Sequence, residues 1–246
     1  MSDELAEQVT GVGALVESAR RELYLYVASQ PDAVSREQAA TAVGVPLHSA
    51  KFHLDRLVEE DLLEVEFRRL TGRTGPGAGR PSKLYRRSSR QLSVSLPERR
   101  YDLAGDVLAS AIDRSIRDGV PVAEAVREAA AAQGRSIAGA FVEEARSHAG
   151  PAVSEGAASS GDSALQRTAD VLARHGYEPR TSEGEICLAN CPFDRLATEH
   201  TALVCSMNLA LIDGVIEGLG LPAVCAELAP EPGFCCVKVS NRGGSS

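Results

Sequence analysis

The sequence predicts an α+β protein, and three observations support this. Apolar residues recur at helical spacing through most of the chain, which indicates amphipathic helices. Short segments of strand composition form one ribbon around a loop rich in glycine and proline, and two further hairpins follow Gly176. All six cysteines lie at or after Cys187. We expect N-terminal helices with a β-ribbon, a mostly helical middle, and a C-terminal α+β region that carries the cysteines.

Three helices are predicted within the first 62 residues. An apolar stripe at helical spacing runs through GALVESARRELYLYVAS, and the QPD that follows ends this helix. Ser35, with Gln38 three residues later, is a capping-box signature that begins the second helix, and Gly44 ends it. The third helix, PLHSAKFHLDRLVEEDLL, has an apolar stripe that includes Ala50 and Leu54. Two helices joined by a short turn containing glycine form a helix-turn-helix.

A β-ribbon follows these helices. LLEVEFRRL and SKLYRRS are predicted strands on either side of TGRTGPGAGRP, whose glycines and prolines indicate an irregular tip. A ribbon in this position is a wing, so a winged helix-turn-helix is predicted across about residues 11–90. We assign residues 1–95 to this domain.

The remainder of the chain is predicted as two further regions. Residues 96–160 contain two amphipathic helices and the small-residue segment SHAGPAVSEGAASSGD, and are expected to connect the domains and to dimerise. Residues 161–246 are predicted as a cysteine-rich α+β sensor domain. Its expected elements are a helix in SALQRTADVLARHG, a hairpin in YEPRTSEGEICLAN, one or two helices in DRLATEHTALVCSMNLALIDGVIEGLG, and a hairpin in AVCAELAPEPGFCCVKVS.

Composition excludes several classes of protein. The N-terminal segment has acidic residues where a signal peptide would be basic, and no apolar run approaches the roughly 20 residues that span a bilayer. A cytoplasmic protein without membrane contact is expected, in which thiols stay reduced and disulfides are disfavoured. The chain contains no nucleophile elbow, P-loop, HExxH or dinucleotide fingerprint, so it is not expected to be an enzyme.

Charge is distributed unevenly along the chain. The net charge is −8, yet between residues 68 and 100 the only acidic residue is Glu98. A local excess of positive charge in an acidic protein indicates a surface that faces a polyanion, although a solvated basic linker would have the same composition. The ten basic residues of this stretch are Arg68, Arg69, Arg73, Arg80, Lys83, Arg86, Arg87, Arg90, Arg99 and Arg100.

The third helix and the wing together predict contact with duplex DNA. Helices of this kind enter the major groove with their N-terminal residues toward the bases, and arginines on a wing reach phosphates or a narrow minor groove. In the alternative, Phe52 packs under the wing and His53 is merely solvated. The predicted DNA-binding residues are His48, Ser49, Lys51, Phe52, His53 and Arg56 on the helix, and Arg73, Arg80, Lys83 and Arg86 on the wing.

The cysteines leave three interpretations open: disulfides, a bound metal or cluster, and small apolar side chains in a core. The absence of a C-x-x-C pair weakens an ordinary zinc-ribbon interpretation. Iron–sulfur clusters use thiolate ligands at varied spacing and remain compatible with the sequence. Free cysteines are also often buried as small hydrophobic residues.

GVPLHSAKFHLDRLVEEDLLEVEFRR, followed by GAGRPSKLYR, resembles the winged-helix transcription regulators related to the ArsR group, and within these the SufR-type iron–sulfur repressors. The resemblance covers nearly the whole chain. It implies a cytoplasmic homodimeric regulator, expected to be a repressor, with a C-terminal sensor of redox or cluster status. A dimer of winged helices should bind double-stranded DNA at an inverted-repeat operator.

The resemblance also implies ligands for an iron–sulfur cluster, expected to be of the 4Fe–4S type: Cys191, Cys205 and Cys235. The loop between the second and third ligands is longer here than in that subgroup. Cys235 and its neighbour Cys236 are expected on the closing strand of the last hairpin. Because adjacent strand residues face opposite sides, only one of the two is expected to face the site. Zinc, thiol oxidation or a small apolar ligand are the alternative signals. The fourth ligand is open among Cys187, Cys225, Cys236 and His200.

Overall fold

The computed structural model describes residues 3–69, 81–148, 161–182 and 184–242. The chain is an α+β protein with two small antiparallel sheets. It divides into two compact units, one ending at Val94 and the other beginning at Ser95. Each unit is built around its own cluster of buried apolar residues.

The first unit contains four helices: α1 (Asp3–Ala14), α2 (Ser18–Ser29), α3 (Arg36–Val43) and α4 (Leu47–Glu59). The helix predicted across GALVESARRELYLYVAS is confirmed only from Ser18 to Ser29, where it ends just before QPD as predicted. Its predicted beginning is wrong, because the chain leaves the helical conformation between Ala14 and Ser18. The carboxylate of Glu17 accepts hydrogen bonds from the backbone N–H groups of Ala19 and Arg20, at 3.2 and 2.7 Å. Glu17 thereby caps the N-terminus of α2, which begins at Ser18.

The predicted limits of α3 are confirmed. Ser35 and Gln38 form a reciprocal capping box, and Gly44 ends the helix in the left-handed conformation with φ of 75°. The predicted apolar face of α4 is also confirmed, since Ala50 and Leu54 are fully buried in the same core as α2.

Three strands complete the first unit: β1 (Val34–Ser35), β2 (Leu63–Arg68) and β3 (Ser82–Arg87). Their order is β1-β3-β2, and β2 pairs antiparallel with β3, with Leu63 opposite Arg87. The two predicted strands of the ribbon are therefore confirmed. The predicted glycine-rich tip between them lies outside the described residues.

The second unit contains helices α5 (Tyr101–Asp118), α6 (Val122–His148), α7 (Gly161–Ala173), α8 (Asp194–Glu199) and α9 (Thr201–Gly218). Its strands are β4 (Pro179–Ser182), β5 (Glu185–Leu188), β6 (Val224–Leu228) and β7 (Val237–Asn241), in the antiparallel order β4-β5-β7-β6. Both predicted hairpins are present. Helices α5 and α6, assigned by sequence to a connecting region, share one core with the C-terminal elements.

Helices α6 and α9 cross with their backbones in close contact. At Gly134 on α6, a side-chain carbon would collide with the carbonyl oxygen of Leu211, and at Gly214 on α9 with that of Ala131. An ion pair of 2.9 Å between Arg135 and Glu217 also joins the two helices. The absence of Cβ atoms at the two glycines is what allows this close approach.

Helix α9 is the most apolar helix in the part of the chain described. Among the described residues it alone has the length and composition that could cross a membrane, with a mean hydropathy of 1.3 over 18 residues. Half of this stretch is buried in the second unit. Its apolar character therefore fits a core helix, on which Cys205 and Asn208 are both buried.

Candidate nucleic-acid interface and thiol cluster

The N-terminal half of α4 presents a mixed polar and aromatic surface. His48, Lys51 and Phe52 are exposed, and Ser49 is half-buried. The side chain of Phe52 is 65% exposed, so it does not pack under the ribbon. His53 is different: its side chain is only 12% exposed, with Nδ1 3.5 Å from the Glu17 carboxylate that caps α2. The face of α4 available to a ligand therefore centres on His48, Lys51 and Phe52.

Two of the predicted DNA-binding cations on the surface, Arg56 and Arg86, pair with carboxylates. Arg56 contacts Glu59 and Glu60 along α4, and Arg86 on β3 lies 2.8 Å from Glu64 on β2. The Arg56–Glu59 and Arg86–Glu64 pairs are exposed. Exposed pairs contribute little to stability, so a phosphate can replace these two carboxylates at small cost. Arg73 and Arg80 lie outside the described residues.

Lys83 is held more firmly than the other cations. Its Nζ lies 2.5 Å from Oδ1 of Asp55, which also accepts the Tyr85 hydroxyl at 3.0 Å. Burial acts to raise the pKa of Asp55, but the hydrogen bonds from Lys83 and Tyr85 outweigh it and lower that pKa. This network joins α4 to β3 and fixes the ribbon against the helix.

Three segments of the second unit carry the candidate metal ligands. Cys191 lies in the turn after β5, where its carbonyl accepts the N–H of Asp194 at 3.1 Å. Cys205 is buried on α9. Cys235 and Cys236 directly precede β7, which begins at Val237. The expectation that Cys235 lies on the closing strand is therefore wrong, and strand alternation does not separate the two adjacent thiols.

The four thiols of Cys191, Cys205, Cys235 and Cys236 form what we call the thiol cluster. Cys235 interacts with both Cys191 and Cys236, and Cys236 interacts in turn with Cys205. All six cysteines of the chain are free. The structure thus brings the three predicted ligands together with Cys236, one of the four residues considered for the fourth ligand.

The other candidates for a fourth ligand lie elsewhere. The sulfur of Cys187 is 3.9 Å from a carboxylate oxygen of Glu185, and that of Cys225 is 3.7 Å from the carbonyl of Ser240. His200 is exposed where α8 meets α9. None of the three interacts with a thiol-cluster sulfur among the contacts described.

The thiols of the cluster shift one another's pKa values. Hydrogen bonds from Cys191 and Cys236 lower the pKa of the Cys235 thiol, assisted by the N–H of Val237 and the amide of Asn208. Hydrogen bonding to Cys235, together with burial, raises the pKa of Cys191 and of Cys236. The pKa values of these three thiols therefore depend on one another through the hydrogen bonds at Cys235.

Within the described ranges, no set of three or more His, Cys, Asp or Glu side chains has the arrangement of a metal site. The chemistry of the thiol cluster nevertheless fits a thiophilic group, since four sulfurs from three segments meet. Four cysteine thiolates are the usual ligands of iron–sulfur clusters, and they also suit tetrahedral zinc. Either group would require the side chains to rotate toward a common centre and lose their protons.

The Cys191 turn is fastened to the segment that precedes α5. The Arg99 guanidinium donates to the carbonyl of Cys191 at 3.2 Å and to the side-chain oxygen of Asn190. Asn190 in return donates to the carbonyl of Glu98 at 3.0 Å, and the N–H of Arg100 donates to the carbonyl of Pro192 at 3.1 Å. We call these four contacts the Arg99 latch.

Sequence reasoning missed the polar residues around the thiol cluster. Asn190 and Arg99 carry no local pattern that distinguishes them from ordinary loop residues. Asn208 is different, because it is a polar residue inside the apolar run TALVCSMNLALIDGV and is fully buried. A polar residue on the buried face of such a helix needs a hydrogen-bond partner. The sequence could therefore have predicted that Asn208 bonds to another buried polar group.

Comparisons with protein-family models, with curated proteins and with solved structures give no match. Function is therefore inferred from the arrangement of the residues themselves and from the sequence resemblance.

Proposed function

We propose that this chain is a DNA-binding transcription regulator, acting as a homodimeric repressor, whose thiol cluster holds an iron–sulfur cluster and reports redox or cluster status. The observation that carries this proposal is the meeting of Cys191, Cys205, Cys235 and Cys236 in a unit joined to a helix-and-ribbon unit. The SufR-type resemblance of the sequence supports the same combination.

The first unit supports the DNA-binding half of the proposal. Helices α2, α3 and α4 followed by the β2–β3 ribbon have the order of a winged helix-turn-helix, with α4 as the recognition helix. Lys51 can donate to base edges, and Phe52 can contact a thymine methyl group. Arg86 on the ribbon would contact phosphates in exchange for Glu64. In a dimer, two such helices would read half-sites about 10 bp apart.

The second unit supports the sensing half. A bound iron–sulfur cluster would supply a centre that can be oxidised or lost. The residues of this chain would hold it from a turn, a helix and the segment before β7, so its loss would release three elements at once. A zinc ion fits the same four thiols and is the second candidate. Visible charge-transfer absorption after anaerobic reconstitution separates the two, because zinc sites are colourless.

The DNA-binding half has a direct test. We expect Lys51→Ala to lower affinity for the cognate site by about 1–3 kcal/mol while leaving affinity for a shuffled duplex nearly unchanged. Arg86→Ala should weaken binding to both duplexes and reduce the salt dependence by about one counterion. Fluorescence anisotropy at several salt concentrations measures both effects.

Arg167, exposed on α7 in the second unit, offers a matched control. Arg167→Ala should leave both affinities unchanged. If neither the reconstituted nor the metal-free protein binds any duplex from the region upstream of its own gene, the regulator proposal is wrong.

The Arg99 latch offers a route from the thiol cluster to the first unit. It fixes the Cys191 turn to residues 98–100, which follow Val94, the last residue of the first unit, by only a few positions. A change at Cys191 would therefore alter the segment that links the units. For such coupling, the Cys191 turn must form the hydrogen bonds of the Arg99 latch more favourably in one of the two forms, cluster-loaded or metal-free, than in the other.

Arg99→Met is expected to retain the cluster but to remove most of the difference in DNA affinity between the cluster-loaded and metal-free forms. The methionine keeps the bulk of the side chain and loses the hydrogen bonds to Cys191 and Asn190. Arg195→Met is the control, since Arg195 is 80% exposed on neighbouring α8 and pairs only with Glu199 among the contacts described. An unchanged ratio of affinities in Arg99→Met would exclude the latch as the coupling element.

A further inference from the structure

A buried hydrogen-bond relay ends on a sulfur of the thiol cluster. The hydroxyl of Tyr177 donates to Oδ1 of Asn208, and Nδ2 of Asn208 donates to the sulfur of Cys235 at 3.1 Å. Tyr177 is 2% exposed and Asn208 is fully buried. Solvent therefore has no access to these groups, and each relies on the other for a partner.

Asn208 is a fully buried polar residue in an apolar core. Its sequence neighbours on α9 are Met207 and Leu209, and a leucine at this position would pack in the same apolar core without a polar group to satisfy. Burying an amide is unfavourable unless all of its polar atoms are bonded. Here one side of the amide is bonded to Tyr177 and the other to Cys235, so its orientation is fixed.

We infer that Asn208, oriented by Tyr177, is a positioning residue that tunes the sulfur of Cys235 as a cluster ligand and so sets the reduction potential of the bound cluster. This inference rests on the proposed function. A hydrogen bond donated to a ligand sulfur withdraws electron density from it and favours the reduced form of the site. Tyr177 contributes by holding the amide in the orientation in which the N–H group, and not the carbonyl, faces the sulfur.

The test compares Asn208→Leu, Tyr177→Phe and the double variant, each reconstituted anaerobically as the full chain. Asn208→Leu should lower the reduction potential of the cluster, and Tyr177→Phe should lower it less, because the amide can still reach Cys235. In the Asn208→Leu background, Tyr177→Phe should cause no further shift. A purely structural role would instead give independent losses of stability without a shift in potential.

Thr168→Val is the matched control for losing a buried polar group. Thr168 is fully buried on α7 and donates to the carbonyl of Ala164, with no thiol-cluster residue as a partner in that bond. Its variant should keep the reduction potential of the wild type. Should Asn208→Leu fail to fold by circular dichroism, Tyr177→Phe, which keeps the ring, decides the question by the same readout.

A second arm uses metal-free protein and needs no cluster. The side-chain amide resonance of Asn208, identified by its loss in Asn208→Leu, should be protected from hydrogen exchange and should move in Cys235→Ser but not in Cys225→Ser. If the cluster forms and its potential is equal in all variants, the tuning role is overturned. If the wild-type protein forms no cluster, the proposed function is wrong. If the Asn208 amide resonance does not shift in Cys235→Ser, the hydrogen bond from Asn208 to Cys235 is absent in solution and the inference is overturned independently.

Discussion

Serine in place of Cys191, Cys205, Cys235 or Cys236 is expected to remove most of the iron and sulfide that the full chain binds on anaerobic reconstitution. A serine hydroxyl does not ionise near neutral pH and is a poor ligand for iron, whereas cysteine thiolates are the standard ligands. Each of the four sulfurs interacts with at least one other in the thiol cluster. Iron and acid-labile sulfide analysis, with visible absorption, measures the loss.

Cys187→Ser and Cys225→Ser are the matched controls for this experiment. Both sulfurs lie on strands and contact Glu185 and Ser240 rather than the thiol cluster. These variants, and His200→Ala, should bind iron and sulfide as the wild type does. Full iron content in Cys236→Ser, with loss in Cys187→Ser, Cys225→Ser or His200→Ala, would assign the fourth ligand elsewhere. Full content in all four cluster variants would mean that these thiols only pack the core.

Local sequence signals were sufficient where a helix end depends on nearby residues. The capping box of Ser35 and Gln38 and the left-handed Gly44 are encoded within a few positions, and both limits of α3 were predicted. The break before α2 was missed because Glu17 is not among the residues that usually cap helices. Its carboxylate caps α2 through contacts that spacing alone does not reveal.

The beginning of β7 was a harder problem. Sequence reasoning placed Cys235 on a strand, since the run CCVKVS has strand composition. The strand begins at Val237, where pairing with Leu228 of β6 begins, and that register depends on the whole sheet. With both cysteines ahead of the strand, Cys236 interacts with Cys205 and Cys235 together. Cys236 could therefore be singled out from the four candidates for the fourth position only from the tertiary structure.

The groups around the thiol cluster were beyond sequence reasoning for the same reason. Arg99 and Cys191 are 92 positions apart, and Tyr177 and Asn208 are 31 apart, so no local pattern connects either pair. The sequence predicts a basic ribbon from composition alone. The ion pairs of its cations could not be predicted, because the partners Asp55 and Glu64 lie on α4 and β2 and meet Lys83 and Arg86 only through the fold.

Gly134→Ala and Gly214→Ala are expected to destabilise the second unit by about 3 kcal/mol or more, at the upper end of what overpacking costs. At each position the added methyl would collide with backbone atoms of the facing helix, which cannot rotate away as a side chain can. For a unit of this size, thermal unfolding should shift down by roughly 2–4 °C per kcal/mol. Thermal denaturation followed by circular dichroism measures the shift.

Gly139→Ala supplies the matched control, because Gly139 is an exposed position of the same helix α6 with open space where the methyl would lie. It should stabilise the protein by about 0.5–1 kcal/mol, as alanine favours helix more than glycine does. Helix α9 carries Cys205 and Asn208, so displacing it at Gly214 should also lower the iron content that the chain retains, while Gly139→Ala should not. Equal melting temperatures for Gly214→Ala and Gly139→Ala would show that α6 and α9 can separate without cost, and the close crossing would then not be what holds α9 in place.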